Sequence, residues 1–249
     1  MHLTIIGCGD AFGSGGRYNT CFMLETAKAT LLVDCGASSM TALNAQKIDA
    51  NRIDAVVLSH LHGDHFGGLP FLLLHAQFLA KREKPLTIAG PPGTRERVDT
   101  LLEACFPKSK TGIKWRFQWQ VVEIGVGIET DVLGHTVRTA EVIHQSGAPS
   151  TALRIGDGSK TFAYSGDTEW TDALIPIARD ADLFICECYA FAGSKMTGHI
   201  SWEILKARLG ELHAKRIMIT HMNDTMLAKT GDAKAEGVLV AEDGLALAI

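Results

Sequence analysis

Long hydrophobic segments are missing from this sequence of 249 residues. Its longest apolar run, from Leu69 to Ala80, contains His75 and Gln77 and is too short and too polar to cross a bilayer. The chain opens MHLTIIGCGDAFGSGG, in which no basic leader precedes an apolar stretch, so we expect no secretory signal. These absences predict a soluble protein with no membrane partner.

Cysteine is also scarce, and neither sign of charge dominates. Six cysteines do not make the dense disulfide framework of small secreted domains, which favours reduced thiols and a cytoplasmic location. The net charge of −4 gives no overall attraction for nucleic acid, so an anionic substrate must be held by local groups. With 46% hydrophobic and 21% charged residues, no internal repeat and no linker, the chain 1–249 is predicted to form a single domain.

Strand-like and helix-like segments alternate along the chain. The predicted strands are Leu3–Ile6, Cys21–Leu24, Thr30–Val33, Ala55–Leu58, Leu86–Ala89, Val137–Ile143, Ala152–Ile155, Thr161–Tyr164, Leu183–Cys186 and Arg216–Thr220. The predicted helices are Ser39–Gln46, Gly68–Lys81, Gly93–Cys105, Trp170–Ala178 and Trp202–Leu212. The last residues suggest two short strands around a turn at Ala241–Gly244. This alternation predicts a layered α/β fold with mixed sheets.

The strongest chemical signal follows the fourth predicted strand, in the segment Ser59-His60-Leu61-His62-Gly63-Asp64-His65. It places three histidines and one aspartate within six residues, although the chain has only 10 histidines. A strand that ends in a tight glycine turn lets His60 and His62 project together while Asp64 and His65 turn toward a neighbouring position. Imidazole and carboxylate ligands suit zinc, and also manganese or iron. One loop can therefore supply ligands to two cations.

Further ligand candidates follow three downstream strands. His144, Asp167 and His221 each come after a predicted strand, and the ends of strands in an α/β sheet meet at one edge. The predicted metal ligands are His60, His62 and His144 around one ion, and Asp64, His65 and His221 around the other, with Asp167 as the bridge. Two such ions can activate a shared hydroxide and stabilise a leaving oxygen.

These motifs resemble those of the metallo-β-lactamase superfamily. HLHGDH fits its HxHxDH signature, and Asp34 fits its early strand-end aspartate that supports the site. The resemblance covers the chain from Asp34 to His221 and implies a four-layer αββα sandwich with two divalent ions, zinc above all, at one edge between the sheets. Many zinc β-lactamases carry a cysteine where this chain has Asp167, which argues against antibiotic hydrolysis.

Within that superfamily, the chain is most similar to the ribonuclease Z and phosphodiesterase branch. The similarity rests on three segments, which are Gly7–Gly13 with Arg17, Asn19 and Thr20, Phe184–Tyr189, and Gly198–Ser201. The likeness implies that Glu187 orients His199, that His199 meets the phosphate or protonates the leaving oxygen, and that Asp64 is catalytic as well as a ligand. It also implies a homodimer. Cys186 stands where the branch has a histidine.

The resemblance leaves several functions open. The favoured one is hydrolysis of a small phosphodiester, a cyclic nucleotide or cyclic phosphate, by a hydroxide held between two metals. The second is cleavage of transfer RNA by a 3′ endonuclease. It is disfavoured because only residues 145 to 166 separate His144 from Asp167. This interval leaves no room for the long arm that grips transfer RNA in ribonuclease Z. Hydrolysis of a lactone, thioester or sulfate ester also stays open, as does metal binding or sensing without turnover.

Three further patterns favour structural roles over chemical ones. The bases and aromatics from Lys108 to Trp119 resemble a nucleic-acid surface, but their alternation is typical of a half-buried strand. Cys186 and Cys188 lack a second thiol pair and are predicted to pack. The glycine-rich loop before Arg17 lacks the following helix of a phosphate-binding loop.

Overall fold

The computed structural model describes residues 1–193 and 197–249. Its strands are β1 His2–Gly7, β2 Cys21–Glu25, β3 Thr30–Val33, β4 Ala55–Val57, β5 Leu86–Gly90, β6 Trp119–Glu123, β7 Glu129–Val132, β8 His135–Glu141, β9 Thr151–Gly156, β10 Thr161–Tyr164, β11 Leu183–Glu187, β12 Ile217–Thr220, β13 Leu239–Val240 and β14 Ala246–Ala248. Its α-helices are α1 Ser39–Ala45, α2 Gly63–Phe66, α3 Leu69–Leu74, α4 Thr94–Cys105, α5 Ser109–Gly112, α6 Leu174–Ala178, α7 Trp202–Leu212, α8 Asp224–Leu227 and α9 Thr230–Ala235.

The strands form two seven-stranded sheets, both with parallel and antiparallel pairs. The first has the order β14-β1-β2-β3-β4-β5-β6 and the second the order β13-β12-β11-β10-β9-β8-β7. Strands β3 to β6 are parallel to one another in the first sheet, and β10 to β13 are parallel in the second. No helix within the described ranges is long and apolar enough to cross a membrane.

Alternate side chains of each central strand enter different hydrophobic layers. In β3, Leu31 and Val33 pack between the sheets, whereas Leu32 packs against the helical layer formed with α1, α3 and α4. In β11, Ile185 faces the other sheet and Phe184 faces the layer of α6 and α7. Because both faces are buried, these strands read as continuous apolar runs. The predicted four-layer αββα sandwich is confirmed.

Polar residues collect where the strands end. The loop after β4 carries His60, the segment after β8 carries His144, and Asp167 and His221 follow β10 and β12. These carboxyl-terminal ends lie at one edge of the sandwich, because β4, β10 and β12 have parallel neighbours and β8 runs in the same direction as β10, with the antiparallel β9 between them. The fold thereby brings residues that are far apart in the sequence to one place.

Three predicted elements differ from the structure. The two strands at the end of the chain exist, but β13 pairs with β12 and β14 with β1, so they join different sheets and form no hairpin. The helix expected from Trp170 begins at Leu174, because Pro176 is tolerated only in a first helical turn. The helix after Gly68 changes to a π-helical turn over His75–Leu79.

Candidate metal centre

The loop after β4 and the short helix α2 place four side chains on two sides of a turn. His60 is buried and His62 occupies the position before α2, where its backbone carbonyl accepts hydrogen bonds from the amides of His65 and Phe66. Asp64 and His65 extend toward Asp167 and His221 at the ends of β10 and β12, and the ring of His65 also lies against that of His60, with centroids 4.0 Å apart. The assignment of these four side chains to two different ions stays a prediction.

The side chains that were predicted to bind metal form two adjacent clusters. One contains His60, His62 and His144, and the other contains Asp64, His65, Asp167 and His221; within each, the candidate ligand atoms lie within 4.8 Å of one another. In the first cluster, His62 Nδ1 lies 3.0 Å from His144 Nε2. In the second, His65 Nε2 lies 3.2 Å from Asp64 Oδ2. Each cluster can hold a metal ion.

Asp167 stands between the two clusters. Its Oδ2 lies 3.2 Å from Nε2 of both His65 and His221. The same oxygen is 3.9 Å from Nε2 of both His60 and His144. One carboxylate therefore faces nitrogen atoms of both clusters, which is the position that a bridging ligand needs.

Two buried atoms of these clusters fit a cation. Among the described residues, nothing hydrogen-bonds to His60 Nε2 or to Asp167 Oδ1, although both atoms are buried. Unpaired polar atoms are expensive to bury, and a metal ion would satisfy both. Burial holds the pKa of His60 well below its usual range, so its imidazole is neutral, as a metal ligand must be. Burial alone would raise the pKa of Asp167, but His221 and His65 hold it well below its usual range.

Asp34 fixes the orientation of the second cluster. Its Oδ2 accepts a hydrogen bond of 2.7 Å from His65 Nδ1, which leaves His65 Nε2 free to face the site. Ser59 donates to the same carboxylate through its backbone amide and its hydroxyl, at 2.7 Å each, and His60 Nδ1 lies 3.0 Å from that hydroxyl. Asp34 adopts the left-handed conformation, with φ of 59°, a strained geometry that these bonds stabilise. The supporting role that the resemblance implied for Asp34 agrees with these contacts.

Gly198 fixes the ring of His144. Its carbonyl oxygen accepts a hydrogen bond of 2.8 Å from His144 Nδ1, and its amide donates to Glu169 Oε1 at 2.8 Å. Its φ is +87°, and a Cβ added there would lie 2.9 Å from His144 Nδ1. Only glycine can hold this ligand candidate in place without strain.

We therefore expect Gly198→Ala to weaken metal binding by about 10–100-fold, the usual effect of disturbing a residue that orients a ligand. Gly193→Ala is the matched control, because Gly193 precedes Gly198 by five residues and a Cβ there meets no atom of the described residues within 4 Å. Competition against a chromophoric chelator measures both affinities. Equal affinities for the two variants would mean that Gly198 does not orient His144.

The partly buried His199 and the buried Glu187 form a pair beside the clusters. Glu187 ends β11, and its Oε1 accepts hydrogen bonds from His199 Nδ1 at 3.0 Å and from the amide of Thr168 at 2.7 Å. Burial alone would lower the pKa of His199, but the hydrogen bond to Glu187 and its charge raise the pKa to about 9. The ring of His199 stacks on Tyr189, with centroids 4.8 Å apart. The pair has the arrangement of an acid and the residue that orients it.

Side chains of both clusters, together with His199, line one cavity of about 450 Å³, within the range of roughly 300–1,000 Å³ that is common for small-molecule sites. Asp64, His144, Asp167, His199 and His221 all contribute to its wall. His199 also lies close enough to His144 and Asp167 to form a third possible ligand group with them. The cavity can thus accommodate a small ester against the clusters and His199.

Several patterns noted in the sequence lie outside this cavity. Arg17 donates to the carbonyl of Ala241 at 2.6 Å and to Cys8 Sγ at 3.2 Å, so its guanidinium holds the N-terminal loop to the chain end. Cys186 and Cys188 are buried, and burial raises the pKa of both thiols, as packing residues require. Between Trp115 and Trp119 the burial alternates as predicted, but the strand begins only at Trp119. Residues 145 to 166 contain β9 and β10, and so no long arm.

The chain matches known proteins along most of its length. The profile of the family described as anti-Pycsar protein Apyc1 matches residues 1–243. The probable metallo-hydrolase YhfI of Bacillus subtilis is 32% identical over 230 residues, which cover 89% of this chain and 87% of YhfI. Ribonuclease Z of Geobacillus kaustophilus is 27% identical over 255 residues, covering 81% of this chain and 80% of that enzyme.

Solved structures share the fold. The YhfI structure superposes with a TM-score of 0.78 at 26% identity, covering 99% of this chain and 98% of YhfI. The short form of human tRNase Z gives a TM-score of 0.80 at 24% identity, covering 100% of this chain and 99% of that one. A diphosphatase of the PhnP family gives 0.77 at 18% identity, covering 100% and 97%. With the clustered histidines and aspartates, these matches show that the chain belongs to the Apyc1 family, among the metallo-hydrolases of the ribonuclease Z and phosphodiesterase branch of the metallo-β-lactamase superfamily.

Proposed function

We propose that this protein hydrolyses small phosphodiesters, with a cyclic nucleotide or cyclic phosphate as substrate. The observation that carries the proposal is the position of His199, which is hydrogen-bonded to Glu187 and lines one cavity together with side chains of the two clusters that Asp167 faces. Cations neutralise phosphate charge, and an imidazole can protonate a leaving oxygen. With cations bound at the clusters, both groups would lie in the same cavity, which supports the proposal.

Two divalent ions would be held by the seven proposed ligands, His60, His62 and His144 on one side, Asp64, His65 and His221 on the other, with Asp167 shared. Zinc suits these ligands, and manganese or iron would also fit them. Such ions would supply Lewis acidity, which lowers the pKa of water and neutralises charge on phosphate oxygens. The proposed role of Asp64 in catalysis follows from its place among the ligands nearest to the cavity.

The chain's own residues would protonate the leaving oxygen. Nδ1 of His199 is engaged in the hydrogen bond to Glu187, so the proton that His199 can transfer is on Nε2. The ring stacked on Tyr189 cannot turn freely, which keeps that proton in one direction. Glu187 is therefore proposed as a positioning residue and His199 as the acid.

Cleavage of transfer RNA is the second candidate, favoured by the similarity to ribonuclease Z of Geobacillus kaustophilus. The chain lacks room for a long arm between His144 and Asp167, and its net charge is −4. The surface best able to replace that arm is the basic and aromatic segment from Lys108 to Trp119, where the ammonium of Lys110 already pairs with Asp99 at 3.1 Å.

We expect kcat/KM for a small phosphodiester to exceed that for precursor transfer RNA at physiological salt. The metal-loaded protein is assayed with adenosine 3′,5′-cyclic phosphate, bis-p-nitrophenyl phosphate and precursor transfer RNA, each with and without chelator. Binding to RNA phosphates would make log affinity fall with log salt by about 0.7–0.9 per contact. Lys110→Ala and Lys114→Ala test that surface, with Lys206→Ala as a control on the opposite helical layer, paired with Glu236 at 2.7 Å. Efficient, salt-sensitive cleavage of RNA that only the first two variants abolish would make the endonuclease the better account.

A further inference from the structure

Phe12 is an exposed aromatic residue on a rigid loop. Its side chain is 76% exposed. The buried carboxylate of Asp10 accepts hydrogen bonds from the amides of Phe12 at 3.1 Å and Ser14 at 2.9 Å, and from the Ser14 hydroxyl at 2.7 Å. Asn19 donates to the carbonyl of Asp10 at 3.0 Å. The loop is therefore fixed from within, and it holds the phenyl ring in water.

This ring lies at the cavity that contains the His/Asp clusters. Phe12 and Ala11 line the cavity from the N-terminal loop, and Ile143, 52% exposed, lines it from the segment after β8. The position of Ile143 is fixed as well, because its amide donates to the hydroxyl of Thr168 at 3.0 Å and its carbonyl accepts from the amide of Glu169 at 3.0 Å. Two rigid loops thus present apolar side chains at the entrance to a polar site.

Polar side chains complete the rim. Gln145 and Thr197 are both exposed and line the same cavity. An amide offers a donor and an acceptor together, which suits the edge of a heterocyclic base. An aromatic face with an amide nearby is the combination that recognises a planar, polar-edged ring.

We propose that Phe12 and Ile143 form a subsite for the nucleobase of a mononucleotide whose phosphate lies at the His/Asp clusters. The inference rests on the proposed function, because it is the phosphate at the clusters that leaves the organic part of the ester at the cavity entrance. The face of the base stacks on the phenyl ring, and Ile143 contacts it from the other loop. Base–aromatic stacking contributes about 1–3 kcal/mol in nucleic-acid-binding proteins.

The first test is equilibrium binding to the metal-loaded protein, which needs no turnover. Adenosine 5′-monophosphate is compared with ribose 5-phosphate, which has the same phosphate and sugar but no base. Phe12→Ala is expected to weaken binding of the nucleotide about tenfold and to leave ribose 5-phosphate unchanged. Phe78→Ala is the matched control, since Phe78 is 60% exposed on the π-helical turn and does not line this cavity.

The second test separates KM from kcat. For adenosine 3′,5′-cyclic phosphate, Phe12→Ala is expected to raise KM about tenfold with little change in kcat, whereas kinetics with glycerol 1,2-cyclic phosphate stay at the wild-type level. Phe12→Tyr keeps an aromatic face and is expected to retain the wild-type KM. Binding of single-stranded oligoadenylate tests whether the subsite takes the base of an RNA strand or of a mononucleotide. If the protein binds oligoadenylate more weakly than adenosine 5′-monophosphate, the proposal is supported.

Several results would overturn the subsite. Unchanged nucleotide binding in Phe12→Ala would do so, as would equal losses for both phosphates, which would indicate a displaced loop. Oligoadenylate binding more tightly than the mononucleotide would assign the ring to RNA. A smaller species of Phe12→Ala in gel filtration would make Phe12 an interface residue. If the wild type binds the nucleotide in a Phe12-dependent way but cleaves neither cyclic ester, the subsite stands and the proposed function fails.

Discussion

Asp167→Ala is expected to lose at least one of two bound metal ions and to reduce kcat/KM by on the order of a thousandfold or more, because ions at such sites supply several kcal/mol of transition-state stabilisation. The reason is the position of one oxygen, which lies 3.2 Å from nitrogen atoms of His65 and His221 and 3.9 Å from those of His60 and His144. No other carboxylate among the described residues faces both clusters in this way. Removing it leaves Asp64 as the one carboxylate among the proposed ligands, so less negative charge is present to hold two cations.

The control for this experiment is Asp172→Ala. Asp172 lies five residues further along the same segment, and its side chain is 79% exposed, accepting a hydrogen bond from Trp170 Nε1 at 3.2 Å and lying 3.7 Å from Arg208. Asp167→Asn tests the charge with little change of shape. Metal content after gel filtration, thermal unfolding and turnover are measured on all three variants. Two tightly bound ions in a folded Asp167→Ala protein would remove this residue from its proposed role.

The second large effect concerns the proton donor. We expect His199→Ala to keep both metal ions and to lose about 10²–10⁴-fold in kcat, the usual contribution of general acid catalysis. The loss should be smaller for bis-p-nitrophenyl phosphate than for a cyclic nucleotide, because p-nitrophenolate leaves without a proton whereas an alkoxide needs one. Glu187→Gln should lower kcat less than His199→Ala does, since Glu187 acts through His199. His2→Ala, at an exposed position far from the cavity, is the control.

The same residue predicts a pH dependence. An acid works only when protonated, so activity falls as the pH rises through the pKa of His199, which the hydrogen bond and charge of Glu187 raise to about 9 against the effect of burial. Bound cations lower the pKa of a neighbouring imidazole, so this fall in activity, the alkaline limb of the pH profile, is expected at pH 9 or below. The limb should be absent from His199→Ala. If His199→Ala instead releases metal as readily as Asp167→Ala, His199 is a ligand and not the acid.

The clustering of the predicted ligands could be anticipated because the relevant signals are local. Each candidate follows an apolar strand, and the carboxyl ends of strands that run in the same direction share an edge of the sheet. His60, His144 and His221 needed only that rule and a predicted strand before each of them. The two-sided division of HLHGDH likewise follows from one glycine turn.

The groups that orient those ligands were less accessible to sequence reasoning. Ser59 links Asp34 to His60, and Gly198 holds His144 through a backbone carbonyl 54 residues away. Serine and glycine have many uses, so neither residue type indicates such a role by itself. The pairing of β13 and β14 with different sheets was missed for a similar reason, since a turn predicts that the chain reverses but not which partner each strand meets.

The measurement that bears most directly on the two-cluster site is the metal content of the wild-type chain after saturation with zinc or manganese and gel filtration. Six terminal ligands and one shared carboxylate are too many for a single four-coordinate ion. We therefore expect two ions per chain, with both lost on treatment with chelator together with phosphodiesterase activity. One ion or fewer per saturated chain would contradict the account.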